Sequence, residues 1–274
     1  MGCNHNCSSC SSKDCGERKS ESLIVETAKE NKIKKIIGVV SGKGGVGKST
    51  VTSLLAINLA EKGYNVGILD ADVTGPSIPK AFGINQEVLG NGELMFPPVS
   101  NMGIKIMSVN LLIDDPTKPV LWRGPVIGGA VKQFYSDVLW EELDFLLIDM
   151  PPGTGDVALT VFQSIPVDGV IIVSTPQDLV SMIVGKAVNM CKSMNIKMLG
   201  LVENMSYIEC PCCSEKIHPF GPSKLEEVAA MYGLKPLGAM PINPDTAALV
   251  DQGLVEEADI TSIEITAQEL ISNL

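Results

Sequence analysis

Apolar residues fall in short runs separated by stretches of helical spacing. Runs at 36–40, 66–69, 104–109, 145–148, 170–173, 198–202 and 236–240 are four to six residues long and mostly aliphatic, as strands buried on both faces require. Segments at 48–62, 125–138, 156–164, 179–194 and 223–232 carry the wider period of helices, and Gly63 closes the first of them. Strands separated by helix-length segments predict βαβ units. The expected fold is α/β: a doubly wound, mainly parallel sheet with helices on both faces. Residues 80–103, rich in Pro and Gly, fit neither period.

Composition narrows the class. The chain has 274 residues, 45% hydrophobic and 19% charged, which excludes a disordered polymer and allows a sizeable core. Its net charge of −11 argues against nucleic acid or an anionic membrane as partner. No apolar run approaches the ~18 residues of a membrane span. The polar N-terminus lacks the apolar region of a signal peptide, and Asn6 stands where myristoylation needs Ser or Thr. The expected location is the cytoplasm. In that reducing compartment the eight cysteines read as metal or redox groups rather than disulfides. Cys3, Cys7, Cys10 and Cys15 crowd the N-terminus, Cys210, Cys212 and Cys213 form a second group, and Cys191 stands alone as a small buried hydrophobe. The layout reads as a cysteine-rich metal-binding tail (1–20), a charged connector (21–33) and one large domain (34–274) with a cysteine loop at 207–221.

The chemistry begins at Gly42-Lys43-Gly44-Gly45-Val46-Gly47-Lys48-Ser49, the P-loop pattern G-x-x-x-x-G-K-[ST], between a predicted strand and a predicted helix. Glycines let successive N–H groups converge on phosphate oxygens, and the helix N-terminus adds positive charge. Lys48 is placed to neutralise the β- and γ-phosphates of ATP, Ser49 to ligate Mg²⁺, and Thr50 follows in the same cradle. Asp149 ends the run 145–148 and fits the carboxylate that holds Mg²⁺; Asp72, after Asp70 at the end of 66–69, is placed to orient an attacking water.

The additional Lys43 resembles the deviant P-loop of the MinD/ParA/nitrogenase-iron-protein class of ATPases. That resemblance implies a homodimer in which Lys43 reaches the partner's nucleotide. Leu69-Asp70-Ala71-Asp72-Val73-Thr74-Gly75-Pro76-Ser77, Asp149-Met150-Pro151-Pro152-Gly153-Thr154-Gly155-Asp156 and Glu203-Asn204-Met205-Ser206-Tyr207 followed by Cys-x-x-Cys are similar to the Mrp/ApbC family of iron–sulfur cluster carrier ATPases, over residues 34–255. The family likeness implies adenine contacts at Asn204 and around Pro241, and apo iron–sulfur proteins and an assembly scaffold as partners.

Cys210-Pro211-Cys212-Cys213 contains a Cys-x-x-Cys pair, half of a four-thiolate set. A twofold dimer supplies the other half, so Cys210 and Cys213 of each chain would bridge one [4Fe–4S] cluster. Spacing alone does not separate this from zinc; the family likeness favours the cluster. Cys212 departs from the simple motif as a spare ligand or transfer group. The N-terminal quartet could wrap a cluster or zinc, with His5 as a competing ligand; His218 is assigned no role. Three rivals stand beside the carrier. A spatial-partitioning or membrane-positioning switch of the ParA/MinD kind lacks a basic terminal patch, since no Lys or Arg follows Lys235. A nitrogenase-like electron donor lacks mid-chain cysteines. A zinc-stabilised adaptor, whose P-loop binds nucleotide without turnover, differs by its metal and is distinguished by iron and sulfide analysis.

Overall fold

A computed structural model describes residues 23–72, 75, 77–112, 124–177 and 180–274. The quartet Cys3, Cys7, Cys10 and Cys15, with the tail at 1–20, lies outside the described residues.

In chain order the described elements are β1 (Lys32–Val40), α1 (Lys48–Glu61), β2 (Val66–Asp70), α2 (Ile78–Ala81), β3 (Leu89–Gly90), β4 (Met95–Phe96) and β5 (Lys105–Ser108). There follow α3 (Gly124–Ser136), β6 (Glu142–Asp149), α4 (Asp156–Ser164), β7 (Gly169–Ser174), α5 (Val180–Ser193) and β8 (Met198–Glu209). The chain closes with β9 (Lys216–Ile217), α6 (Leu225–Tyr232), β10 (Pro236–Pro241), α7 (Pro244–Gln252) and α8 (Glu264–Ser272).

The main sheet runs β10-β8-β7-β1-β6-β2-β5, with every neighbouring pair parallel and β9 added antiparallel to β8. Alternating residues of β1 serve two cores: Ile36 and Val40 face α3–α6, and Ile37 and Val39 face α1, α2 and α8. Since successive side chains of a strand point to opposite faces, one apolar run feeds both layers. The strand order reverses beside β1, and the C-terminal edge there opens the crevice in which such sheets bind ligands.

Several boundaries differ from those read off the sequence. β1 starts at Lys32, because Lys32–Glu142 and Lys34–Asp144 pair across neighbouring strands where no apolar run marks them. Residues within the expected connector are tied to the body: Val25 N–H donates to Ser164 O at 2.8 Å and Asn31 Nδ2 to Val138 O at 2.9 Å. The irregular stretch 80–103 contains the small β3–β4 hairpin. Helices α7 and α8 were not foreseen, although Asn243, whose side chain accepts from Asp245 and Thr246 N–H, followed by Pro244, is a helix-start signature.

Candidate functional site

The loop 42–49 leaves β1 and turns directly into α1, so the first helical N–H groups face the crevice. Beneath it Asp149 ends β6, fully buried beside Val39 of β1. Its Oδ1 accepts Lys48 Nζ at 2.7 Å and Thr52 Oγ1 at 3.0 Å, and its Oδ2 accepts Ser49 Oγ at 2.6 Å. Three donors from the first turns of one helix thus hold one carboxyl in place. Asp72 lies farther out, its Oδ2 3.9 Å from Lys48 Nζ. Lys43, Lys48, Ser49, Thr50 and Asp72 line a common cavity of about 240 Å³ with Gly44, Gly45, Val46 and Gly47 of the loop, whereas Gly42 packs against Ile183 and is not part of the lining.

Asp70 pairs directly with Asp149 across β2 and β6 and is also buried. Burial first, then the Asp149 charge, pushes its carboxyl up to about 8, against an ordinary 3.8. Ser108 Oγ and the Asp72 N–H donate to it and counter part of the shift. Lys43 Nζ donates to Gln177 Oε1 of the same chain, just beyond β7.

Next to the phosphate cradle a second cavity, about 340 Å³, is bounded by Gly47, Thr50, Asn204, Met205, Phe220 and Pro241 among others. Asn204 Nδ2 donates to Val46 O at 2.9 Å. Gly47 sits at φ 75, and a β-carbon there would lie 2.2 Å from Asn204 Nδ2. The structure therefore brings Asn204 and Pro241 to one cavity beside the cradle.

The cysteines occupy the tip of the β8–β9 hairpin, in which Ile208 pairs with Ile217 and Glu209 with Lys216. Cys210 N–H donates to Glu215 O at 2.9 Å and Ser214 N–H to Cys210 O at 2.8 Å, with Ser214 at φ 56 completing the turn. Cys212 and Cys213 are exposed and Cys210 partly so. The Cys212 N–H, then that of Cys213, then the Cys213 thiol, hold the Cys210 thiol below the usual range. Such donors aimed at sulfur suit thiolate ligation of a metal or cluster. Among the described residues no group of three or more His, Cys, Asp or Glu side chains is placed to hold a metal ion. Cys191 is fully buried and its thiol is pushed up to about 11 by burial, as an inert hydrophobe should be.

The ParA sequence family described as NUBPL iron-transfer P-loop NTPase matches residues 32–274. The chain belongs to this family. An iron-sulfur cluster carrier protein of Clostridium perfringens is 51% identical over 259 residues, spanning 92% of this chain and 90% of that protein. A protein of the same description from Methanocaldococcus jannaschii is 45% identical over 258 residues, 92% of this chain and 89% of the other. Among solved structures, a nucleotide-binding protein in complex with ADP from Archaeoglobus fulgidus superposes with TM-score 0.74 at 45% identity, covering 83% of this chain and 89% of that one. The cell division ATPase MinD of Pyrococcus furiosus shares the fold, with TM-score 0.59 at 19% identity over 88% of this chain and 99% of that one.

Some residues of the candidate site carry no sequence motif. Thr52 is one helical turn beyond Lys48, so the spacing i, i+4 could have found it. Gln177 and Phe220 gave no such signal, because long-range packing alone brings them in.

Proposed function

We propose that this chain binds and hydrolyses ATP with Mg²⁺ and, as a homodimer, carries a [4Fe–4S] cluster from an assembly scaffold to apo iron–sulfur proteins. The cluster is cargo, held by Cys210 and Cys213 of each chain. The observation that carries this reading is the Cys210–Cys213 pair, with exposed Cys212 between them, at a solvent-facing hairpin tip where no group of three or more His, Cys, Asp or Glu side chains among the described residues is placed to hold a metal ion. Two ligands per chain at an exposed place make a holder that can let go.

Gly42, Gly44, Gly45, Val46 and Gly47 present N–H groups to the phosphates, and Thr50 flanks them. Lys48 moves its charge from Asp149 to the β- and γ-phosphates, which frees Asp149 and Ser49, already 2.6 Å apart, to hold Mg²⁺. When bound, Mg²⁺ neutralises triphosphate charge. Asp72 orients the attacking water, and Asn204 and Pro241 contact adenine. Lys43 leaves Gln177 for the nucleotide of the second chain. Cys3, Cys7, Cys10 and Cys15 form a second metal site. Among the described residues no helix is long and apolar enough to cross a membrane, and the cytoplasm suits reduced thiols.

The test is anaerobic isolation and metal analysis. The full chain should hold about four iron and four sulfide per two bridging pairs, in addition to any content of the N-terminal quartet. Cys210→Ser and Cys213→Ser should each lose the bridging share and the dimer-bound absorbance, with ATP affinity retained. Undiminished iron and sulfide in Cys213→Ser, or zinc in their place, would overturn the bridging assignment.

A further inference from the structure

Both ends of the cysteine hairpin meet at one buried carboxyl. Glu203, 1% exposed, accepts Ser206 Oγ–H at 2.7 Å and the Lys224 N–H at 3.0 Å. Ser206 is where the chain sets out towards the cysteines, and Lys224 is where it returns, just ahead of α6. In a regular strand residues 203 and 206 would point to opposite faces. Here the register slips. Ala239 of β10 pairs with Glu203 and Pro241 with Tyr207, so a longer stretch of β8 opposes a shorter one of β10.

The residues looped out are Asn204, Met205 and Ser206, with Met205 at φ 58, a left-handed conformation uncommon for a bulky side chain. Bulges of this kind re-aim side chains beside functional sites. This one directs Asn204 onto Val46 O and Met205 into the base cavity, and returns Ser206 to Glu203. Two further ties reach across the hairpin. His218 Nδ1 lies 3.0 Å from Ser206 O, and Phe220 borders the same cavity as Asn204 and Met205. A group entering that cavity therefore meets residues on the outgoing and the returning arm of the hairpin.

We propose that Glu203 and Ser206 are positioning residues that convert occupancy of the base cavity into a rearrangement of the hairpin presenting Cys210 and Cys213. This deepens the carrier reading and rests on it for the identity of the cargo, but the rearrangement itself can be read without cargo. A nucleotide that packs between Asn204, Met205 and Phe220 favours one setting of the bulge, and the Glu203 clasp passes that setting to both arms. Glu203 and Ser206 line neither cavity of the nucleotide site, so their loss should leave nucleotide affinity in place.

The experiment is hydrogen exchange on the full, metal-free chain with and without saturating ADP or a non-hydrolysable ATP analogue. In the unaltered chain, nucleotide should change exchange across 207–221 by about threefold or more. In Ser206→Ala and Glu203→Gln that ratio should fall to about one, with nucleotide Kd held within about twofold of the unaltered chain. Ser206→Thr, which keeps the hydroxyl, should keep the response. Exchange in β1 reports whether each variant is folded; should Glu203→Gln fail that check, Ser206→Ala decides alone. A hairpin indifferent to nucleotide in the unaltered chain, or one that responds equally in Ser206→Ala, would overturn the proposal. Because no cluster is needed, a chain that never takes up iron would sink the carrier reading and leave this result interpretable.

Discussion

Gly45 and Gly47 form a matched pair within one loop. Their φ angles are 78 and 75, so an alanine at either position adopts a left-handed backbone at a cost of about 1–2 kcal/mol. Their surroundings differ. A β-carbon at 45 meets nothing within 4 Å, whereas one at 47 would lie 2.2 Å from Asn204 Nδ2. Asn204 must then swing away and give up its bond to Val46 O, a net loss of about 1 kcal/mol, and more if that carbonyl is left without a donor. Gly47→Ala should therefore destabilise the nucleotide-free chain by about 1–3 kcal/mol more than Gly45→Ala, measured by urea unfolding. The excess has a single cause, so it can be removed. In an Asn204→Ala background the two substitutions should cost the same, a double-mutant cycle on one contact. Equal costs in the unaltered background, or an excess that survives the loss of Asn204, would refute the assignment of Asn204 as the wall of the cradle.

Lys48→Ala removes the ion-pair partner of a fully buried carboxyl and should cost about 3–5 kcal/mol as well as ATP binding. Lys43→Ala should change stability by no more than about 0.5 kcal/mol while lowering ATP turnover, since among the described residues its side chain bonds to exposed Gln177; calorimetry and a phosphate-release assay separate the two lysines. Asp70 supplies a pH test. Its folded value of about 8 lies above its ordinary 3.8, so the folded chain keeps a proton that the unfolded chain releases. Stability should therefore fall as pH rises from about 4 through about 8, by on the order of a few kcal/mol. Asp70→Asn should flatten that part of the Tm–pH curve in Mg²⁺-free buffer, and a curve of unchanged slope would remove Asp70 as its source.

What the sequence made legible follows from range. The P-loop and its flanking strand and helix are local, and an apolar run ending in Asp149 needs only a strand and its terminus. The doubly wound sheet was readable because its strands, buried on both faces, are unbroken aliphatic runs. The polar start of β1 was not, because Lys32 and Lys34 are stabilised by Glu142 and Asp144 more than a hundred residues away. β8 was read as ending at 202, yet it continues through the bulge to Glu209. Its second half mixes polar and apolar residues instead of forming an aliphatic run, and it pairs with β10 as far as Tyr207 and with β9 at Ile208 and Glu209. The site divides in the same way. Residues within a motif could be named, but Gln177 and Phe220 enter through tertiary contacts. The roles given to Lys43 and to the bridging cysteines lie partly in a second chain.

The placement of the cysteines bears on how a carrier of this design is controlled. Four thiolates within one chain would bind a cluster with an affinity fixed by that chain alone. Two thiolates per chain make holding depend on association, so whatever sets the dimer sets the grip on the cargo. In the proposed reading ATP joins the chains through Lys43, and the same nucleotide reaches the hairpin through the base cavity. Association and hairpin geometry would then answer to one ligand by two routes. The routes are separable at the residue level, since Lys43 lies on the P-loop and the Glu203–Ser206 clasp on β8. A chain altered at Lys43 alone should keep the hairpin's response to nucleotide while losing nucleotide-driven association, and a chain altered at Ser206 should show the reverse. Tight holding and prompt release conflict in a single rigid site; dividing the ligands between two chains and tying each pair to the nucleotide lets the two states have different affinities.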